Sequence, residues 1–362
     1  MADRRPDRLQ ALRRALDAAK LDGILLTSLP NIRYLTGFSG SSALLAVTHS
    51  ELLFVTDFRY DVQVGEEVGD LARISIERQS LWDGLWRMLG EAHSVELMGF
   101  ESAQLVHRDF ERLLNAGSRW QWRATVNVVE VLRERKDAGE LALIADAARL
   151  AGRALEHTVS GVRAGMTELE VAGALERALR DGGSEGFPFE TIVASGPRSA
   201  LPHARPGSRR IERGDFLLVD FGAIVGGYCS DVTRTFVVGR ADQAQREVYE
   251  VVREANALAS RGVHAGMTGR DADALARSYI EGRGYGEEFG HSLGHGIGLE
   301  VHEAPRLART SDATLPPHAV VTIEPGVYRA GWGGVRIEDD VVLDPDGPRI
   351  LTDVSRELLE IG

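Results

Sequence analysis

Two carboxylates interrupt apolar segments near the middle of the chain. Asp220 ends an apolar run, and Asp231 lies in the return segment beyond two glycines. If the chain turns near residues 225–226, the two side chains lie nearly opposite each other, with Cβ atoms roughly 5 Å apart. Like charges at that distance destabilise a hairpin, so the pattern predicts a cation between them. The alternative is one solvent-facing aspartate and one that pairs with Arg234.

A glycine-rich segment further along the chain carries histidines. Residues 290–298 contain four glycines, which allow close backbone approach, and His291 and His295 lie among them. With His302, three of the ten histidines of the chain fall within twelve positions. Histidine is a common metal ligand and a proton carrier near neutral pH. The pattern predicts a metal or catalytic site, whereas a hydrogen-bonded core histidine is the alternative for any one of them.

Two further carboxylates lie in strand-like segments. Glu324 closes an apolar run before a Pro-Gly turn. Residues 333–341 alternate in polarity, which predicts a single strand with Arg336, Glu338 and Asp340 on one face. An ordinary surface strand is the alternative interpretation of that alternation.

Together the segments supply two aspartates, two glutamates and one histidine. This oxygen-rich set suits two divalent metal ions, Mn²⁺ first, with Co²⁺ or Zn²⁺ as alternatives. Four carboxylates offset the charge of two such ions, which can share a nucleophilic water. Because the set contains no cysteine, it does not predict a structural zinc site. A phosphatase-like hydrolase is an alternative class, although the sequence has no Walker-type phosphate loop.

Composition narrows the possible functions. The net charge of −12 disfavours nucleic acid as a partner, and a single cysteine in 362 residues suits a reducing compartment. No run approaches the roughly 18 apolar residues that span a bilayer, and the N-terminus lacks the apolar segment of a signal peptide. We therefore expect a cytoplasmic protein that binds neither nucleic acid nor membranes.

The elements that must position these residues fall into two predicted domains. Residues 1–131 alternate helix-like and strand-like segments, which predicts a small α/β domain with a mixed sheet. Residues 132–362 hold the candidate site and an internal echo. Ala-Gly-Met-Thr occurs at residues 164–167 and again at 265–268, each time before a helix and a glycine-rich turn. The echo predicts a duplicated unit with its site at the junction, and chance similarity of two helix caps is the alternative.

The order of the five residues and their flanking motifs resemble the pita-bread metallopeptidases over nearly the whole chain. This family contains methionine aminopeptidase, aminopeptidase P, prolidase and the metal-free creatinase. The resemblance implies an α/β (α+β) protein with a creatinase-like N-terminal domain and a pseudo-symmetric pita-bread catalytic domain. Residues 31–38, together with His203 and His291, are similar to the proline-peptidase branch, whereas methionine aminopeptidases lack the N-terminal domain.

The resemblance also implies which residues bind the metals. Asp220 and Asp231 would bind one metal, with Asp231 bridging to the second. His295 and Glu324 would complete the second metal, and Glu338 would bridge both.

Catalytic roles follow from the same resemblance. Glu324 would carry the proton of the attacking water to the leaving proline nitrogen. His302 would bind the scissile carbonyl and stabilise the developing oxyanion. His203 and His291 would line the proline side and assist proton movement, and Arg336 would orient the carboxylates.

The substrate class depends on what the site holds beyond proline. Prolidases that resemble this chain carry an arginine at the position of Arg306, where it would bind the free carboxylate of a dipeptide. We therefore predict dinuclear metal-dependent hydrolysis by an Xaa-Pro dipeptidase. If Arg306 is only an exposed loop residue, the prediction becomes an Xaa-Pro aminopeptidase. A metal-free binding protein on the same fold is a further alternative, against which five intact ligands argue. The resemblance also implies a homodimer.

Overall fold

The computed structural model describes residues 3–92, 95–116 and 119–362. The chain divides into two compact units, Met1–Arg133 and Glu134–Gly362. The division follows a short helix, Glu130–Arg133, that spans the boundary expected after residue 131. The predicted metal and catalytic residues all belong to the second unit.

The first unit alternates helices and strands. Its helices are α1 (Arg5–Ala19), α2 (Leu29–Thr36), α3 (Asp61–Glu67), α4 (Leu81–Glu91), α5 (His107–Asn115) and α6 (Glu130–Arg133). Its strands are β1 (Gly23–Leu26), β2 (Ala43–Thr48), β3 (Leu52–Asp57), β4 (Arg73–Glu77), β5 (Leu97–Glu101) and β6 (Gln121–Thr125). They form a sheet in the order β4-β3-β2-β1-β5-β6. Because β1 is antiparallel to β2 and parallel to β5, the predicted mixed sheet is confirmed.

Helix α4 illustrates how the sequence forms this unit. Ser80 caps it, since its side chain accepts a hydrogen bond from the backbone N–H of Asp83. Trp82, Leu85 and Leu89 recur at helical spacing and are buried in the same apolar cluster as strands β2 and β3. The helix therefore covers one face of the sheet.

The second unit has longer helices and more strands. Its helices are α7 (Ala138–Gly161), α8 (Glu168–Asp181), α9 (Gln243–Gly262) and α10 (Gly269–Gly282). The strands of its first half are β7 (Ile192–Ser195), β8 (Phe216–Phe221), β9 (Ile224–Val225), β10 (Tyr228–Cys229) and β11 (Val232–Val238). Those that follow α10 are β12 (Gly294–Gly296), β13 (Glu303–Leu307), β14 (Val320–Ile323), β15 (Gly326–Arg329), β16 (Gly333–Arg336), β17 (Asp339–Asp344), β18 (Gly347–Ile350) and β19 (Glu360–Ile361).

The echo in the sequence corresponds to a structural repeat. Thr167 and Thr268 cap α8 and α10, and each side chain accepts a backbone N–H of the first helical turn. Before each cap a glycine adopts a positive φ, 93° at Gly165 and 92° at Gly266. Each cap also forms an antiparallel bridge to the segment that leads into the next long strand, β8 or β14. The same helix, cap and strand arrangement thus occurs twice.

Each repeat packs a helix pair against its own sheet. Helices α7 and α8 share an apolar cluster with the sheet of order β19-β11-β8-β7. Helices α9 and α10 share another with the sheet of order β13-β12-β14-β17-β18. Among the residues described, none of the helices combines the length and apolar character needed to cross a membrane.

Candidate metal centre

The hairpin of β8 and β11 carries the first two predicted ligands. Its turn is Gly226-Gly227, with φ of 57° and 82°, the left-handed conformation that a two-residue turn of this kind requires. Asp220 is consequently paired with Thr233, and Asp231 lies diagonally on the same face, before β11 begins. The expectation that the two aspartates lie nearly opposite each other assumed an earlier turn, and the observed register differs from it by two residues.

Strand β12 explains why glycines flank the histidine that is predicted to be a ligand. A Cβ atom at Gly294 would lie 1.9 Å from the carbonyl oxygen of Thr322, and one at Gly296 would lie 2.1 Å from that of Ala304. Neither distance leaves room for a side chain, because the neighbouring backbones approach so closely. The glycines therefore hold His295 between two strands.

The ring of His295 is oriented as a metal ligand. Nδ1 donates to the carbonyl oxygen of Gly296 at 3.0 Å, which leaves the lone pair on Nε2. Nε2 lies 3.8 Å from Oδ2 of Asp231 and 3.5 Å from Oε1 of Glu324. Burial lowers the pKa of His295 to about 4, so the ring is neutral at neutral pH. Three electron-rich atoms that face one another in this way need a cation between them.

Glu324 follows directly after β14 and is fixed by a neighbouring hydroxyl. Oγ1 of Thr322 accepts the backbone N–H of His295 at 3.1 Å and donates to Oε1 of Glu324 at 3.3 Å. The other oxygen, Oε2, lies 3.9 Å from Nδ1 of His291. One oxygen of this carboxylate is therefore positioned beside His295 and the other beside His291.

Glu338 lies where the chain passes from one sheet to another. Strand β16 ends at Arg336 and pairs with β15, whereas β17 begins at Asp339 in the sheet of β14. The single strand predicted over residues 333–341 is therefore wrong, because the chain bends at Glu338 to enter the second sheet. Oγ1 of Thr233 donates to Oε2 of Glu338 at 2.6 Å, which links this ligand to the hairpin.

Three of the five predicted ligands meet in one place. Candidate ligand atoms of Asp231, His295 and Glu338 all lie within 4.8 Å of one another. Burial, and then the charges of neighbouring carboxylates including Asp220, raises the pKa of Asp231 and Glu338 well above the usual range. Burial likewise raises the pKa of Glu324 to about 8. Ionising this cluster therefore requires a compensating positive charge.

The donor set fits divalent metal ions. In the part of the chain that the structure describes, Oδ1 of Asp220 and Oδ1 of Asp231 are buried without a hydrogen-bond partner. Arg234 does not neutralise Asp231, because its guanidinium pairs with Asp339. Carboxylates and one neutral imidazole are the ligands that Mn²⁺, Co²⁺ and Zn²⁺ accept. The orphaned oxygens and the lone pair of His295 thus present a coordination site.

A hydrogen-bonded chain extends from the carboxylates to His291. Arg336 donates through Nη2 to Asp220 and through Nη1 to the hydroxyl of Tyr328, at 2.8 Å. His291 donates from Nδ1 to the carbonyl oxygen of Ser292 at 2.8 Å, so its Nε2 accepts from the Tyr328 hydroxyl at 3.0 Å. Burial lowers the pKa of His291 to about 4 and raises that of Tyr328 to about 12. The direction of every bond in the chain is therefore fixed.

The remaining predicted residues lie at the rim. The rings of His295 and His302 have centroids 4.3 Å apart, and His302 is exposed. His203 is exposed on the loop after β7. Arg306 is exposed and is the cross-strand partner of His295, so the two side chains share a face.

Sequence reasoning missed three residues of this site and gave no role to a fourth, Asp340, which it placed on the same face as Glu338. Thr233 and Thr322 orient ligand carboxylates, Tyr328 links Arg336 to a histidine, and Asp340 accepts the backbone N–H of Asp231 at 3.1 Å. Thr233 could have been found from a correct hairpin register. Tyr328 has no such signal, because its contacts depend on how β15 and β16 pack.

Two known protein families match the sequence of this chain. Residues 142–345 match metallopeptidase family M24, and residues 8–135 match the creatinase/prolidase N-terminal domain. Both predicted domains therefore have counterparts among known families.

Similar proteins span almost the whole chain. The uncharacterized peptidase YqhT of Bacillus subtilis is 40% identical over 97% of this chain and 99% of its own. A structure described as Xaa-Pro dipeptidase from Bacillus anthracis is 41% identical, with a TM-score of 0.95 over 99% of this chain and 100% of the other. A structure described as X-Pro aminopeptidase from Thermotoga maritima is 37% identical, with a TM-score of 0.90 over 98% and 99%.

Proposed function

The chain belongs to metallopeptidase family M24, and we propose that within it this protein hydrolyses Xaa-Pro dipeptides. The observation that carries the proposal is Arg306, an exposed cation directly across the strand pair from the ligand His295. A guanidinium at that position can bind a free carboxylate. Only in a dipeptide does the proline after the scissile bond carry such a carboxylate. Similarity to proteins named Xaa-Pro dipeptidase supports the same conclusion.

We assign the metal centre to five residues. Asp220, Asp231, His295, Glu324 and Glu338 would hold two divalent ions, Mn²⁺ first and Co²⁺ or Zn²⁺ as alternatives. When bound, such ions polarise the scissile carbonyl and lower the pKa of the attacking water. Asp231 and Glu338 are the residues proposed to bridge.

The proton path is assigned to Glu324. Thr322 donates to its Oε1, which leaves Oε2 to take the proton of the attacking water. The same oxygen would return that proton to the proline nitrogen, because an amide nitrogen leaves readily only when it is protonated.

Other side chains would hold the substrate. His302, exposed beside the ring of His295, would donate to the scissile carbonyl oxygen as negative charge develops there. His203 and His291 would contact the proline side, and the Arg336–Tyr328 pair holds His291 in one tautomer.

An Xaa-Pro aminopeptidase is the second candidate. Its support is the similarity to the structure described as X-Pro aminopeptidase from Thermotoga maritima. An aminopeptidase acts on longer peptides with proline second and needs no carboxylate-binding arginine. The two candidates therefore differ in what they predict for Arg306.

Hydrolysis of Ala-Pro and Ala-Pro-Ala by the Mn²⁺-loaded protein distinguishes them. A dipeptidase prefers Ala-Pro, and Arg306→Ala should lower kcat/KM for it about 10- to 100-fold, the value of a hydrogen bond to a charged group. Arg309→Ala is the matched control. Arg309 is exposed like Arg306 and follows the end of β13, but its guanidinium pairs with Glu281. Preference for the tripeptide would establish the aminopeptidase. Cleavage of neither peptide with metals bound would reject both.

Two further proposals concern the state of the protein. We propose a homodimer in the cytoplasm, based on the family resemblance and on the single cysteine of the sequence. Light scattering coupled to gel filtration tests the first, and cell fractionation tests the second.

A further inference from the structure

A fully buried arginine lies behind the predicted bridging ligand. Arg234, on β11, is 1% exposed. Its Nη1 donates to the carbonyl oxygens of Thr233 at 2.8 Å and Glu338 at 2.6 Å, and its Nη2 donates to Oδ1 of Asp339 at 2.7 Å. The guanidinium thus contacts the backbone of Glu338 and the side chain that follows it.

The same guanidinium also holds the C-terminal segment. Nε of Arg234 donates to the carbonyl oxygen of Ser355 at 2.9 Å, and Nη2 donates to that of Val354 at 2.8 Å. Arg356 donates from Nε to the second oxygen of Asp339 at 2.7 Å. These bonds engage all the N–H groups of Arg234.

Glu338 needs such support because it lies outside both neighbouring strands. Its backbone N–H donates to the carbonyl oxygen of Thr233 at 3.1 Å, and its own carbonyl oxygen accepts from Arg234. Both peptide groups that flank its Cα are therefore fixed from β11, which also positions Asp231 at its start.

We infer that Arg234 is a positioning residue for the metal ligand Glu338, and that residues 354–356 complete its hydrogen-bonded frame. The inference rests on the assignment of Glu338 as a ligand in the proposed function. Lysine cannot replace the arginine, because an ammonium offers three donors instead of a planar five-donor fork. A segment near the C-terminus is thus part of the support of the metal centre.

Metal affinity of the full-length protein tests this inference. Arg234→Lys should weaken Mn²⁺ and Co²⁺ binding about 10- to 100-fold in calorimetric titrations, as loss of a group that orients a ligand does elsewhere. It should also change the visible absorption of bound Co²⁺, which reports ligand geometry. Arg133→Lys is the matched control, since Arg133 is also buried and donates to Asn31 in the first unit. That control should lower Tm without changing either metal reading.

A milder variant guards against misfolding of Arg234→Lys. Arg356→Gln removes only the outer contact to Asp339 at a half-buried position, and we expect a several-fold loss of metal affinity. Unchanged affinity and Co²⁺ absorption in a folded Arg234→Lys would overturn the inference. If that variant does not fold, unchanged affinity in Arg356→Gln would do so.

The outcomes separate this inference from the proposed activity. A wild-type protein that binds two metals but cleaves neither peptide refutes the peptidase proposal, while the variant affinities still decide the role of Arg234. A wild-type protein that binds no metal overturns both.

Discussion

Removal of the metals should make stability fall as pH rises through neutrality. In the folded, metal-free protein burial raises the pKa of Glu324 to about 8, from an ordinary value of 4.5. A carboxyl whose pKa is raised on folding contributes stability that is present at low pH and lost as pH rises towards the folded value. Asp231 and Glu338 shift in the same direction.

Two effects oppose each other between pH 6.5 and 8. His291 and His295 have folded pKa values of about 4, so their contribution to stability is lost as pH falls through about 6.5. Each histidine therefore still gains about 0.4 kcal/mol as pH rises from 6.5 to 8, while the carboxylates lose more. For Glu324 the linkage relation gives a loss of about 1.5 kcal/mol between pH 6.5 and 8. After the opposing gain of about 0.8 kcal/mol from the two histidines, the net loss is about 0.7 kcal/mol, or a fall in Tm of roughly 1–3 °C, to which Asp231 and Glu338 add.

Thermal unfolding at pH 6.5, 7.2 and 8.0, with chelator or with Mn²⁺, measures this dependence. Mn²⁺ should raise Tm at every pH and remove the decline, because metal binding replaces protons on the carboxylates. Glu324→Gln should flatten the metal-free profile, and the exposed Glu247→Gln should leave it unchanged. A metal-free Tm that stays constant or rises from pH 6.5 to 8 would refute the reasoning.

Two substitutions test individual contacts. Tyr328→Phe removes the hydroxyl that links Arg336 to His291. We expect kcat for Ala-Pro to fall about tenfold with little change in KM. An unchanged kcat would contradict this role of the hydroxyl. A Cβ at Gly222 would lie 2.0 Å from the carbonyl oxygen of Ser230, so Gly222→Ala must displace the hairpin. The Gly222→Ala variant should lower the free energy of unfolding, measured in urea, by about 2 kcal/mol or more, and it should weaken Mn²⁺ binding. Gly173→Ala is the control, because a Cβ at Gly173 meets open space, and it should change neither quantity.

The sequence predicts the ligand types better than their relative placement. Carboxylates at the ends of apolar strands, and a histidine between glycines, can be recognised from the sequence. A charge in a buried segment is costly unless it has a partner, so it indicates a site. The hairpin register could have been predicted as well, since Gly226-Gly227 is a strong two-residue turn signal. The prediction failed by placing the turn one residue early, which moved Asp231 opposite Asp220.

Other features of the site depend on contacts between distant segments. The bend at Glu338 follows from a change of sheet, which local alternation cannot reveal. Tyr328 lies in an ordinary short strand and gains its role only when β15 and β16 bring it beside Arg336. The sequence predicts only that Thr322 and Thr233 lie in strands, because threonine favours strands in general. Their contacts to the carboxylates are not visible in the sequence.

The repeated architecture of the second unit has a consequence for biosynthesis. Asp220 and Asp231 come from the first repeat, whereas His295, Glu324 and Glu338 come from the second. During translation the two aspartates leave the ribosome well before their partners and cannot complete a coordination sphere alone. With the ligands that we propose, the metal site can form only after residue 338 has been synthesised, and the ion acquired is the one available at that stage.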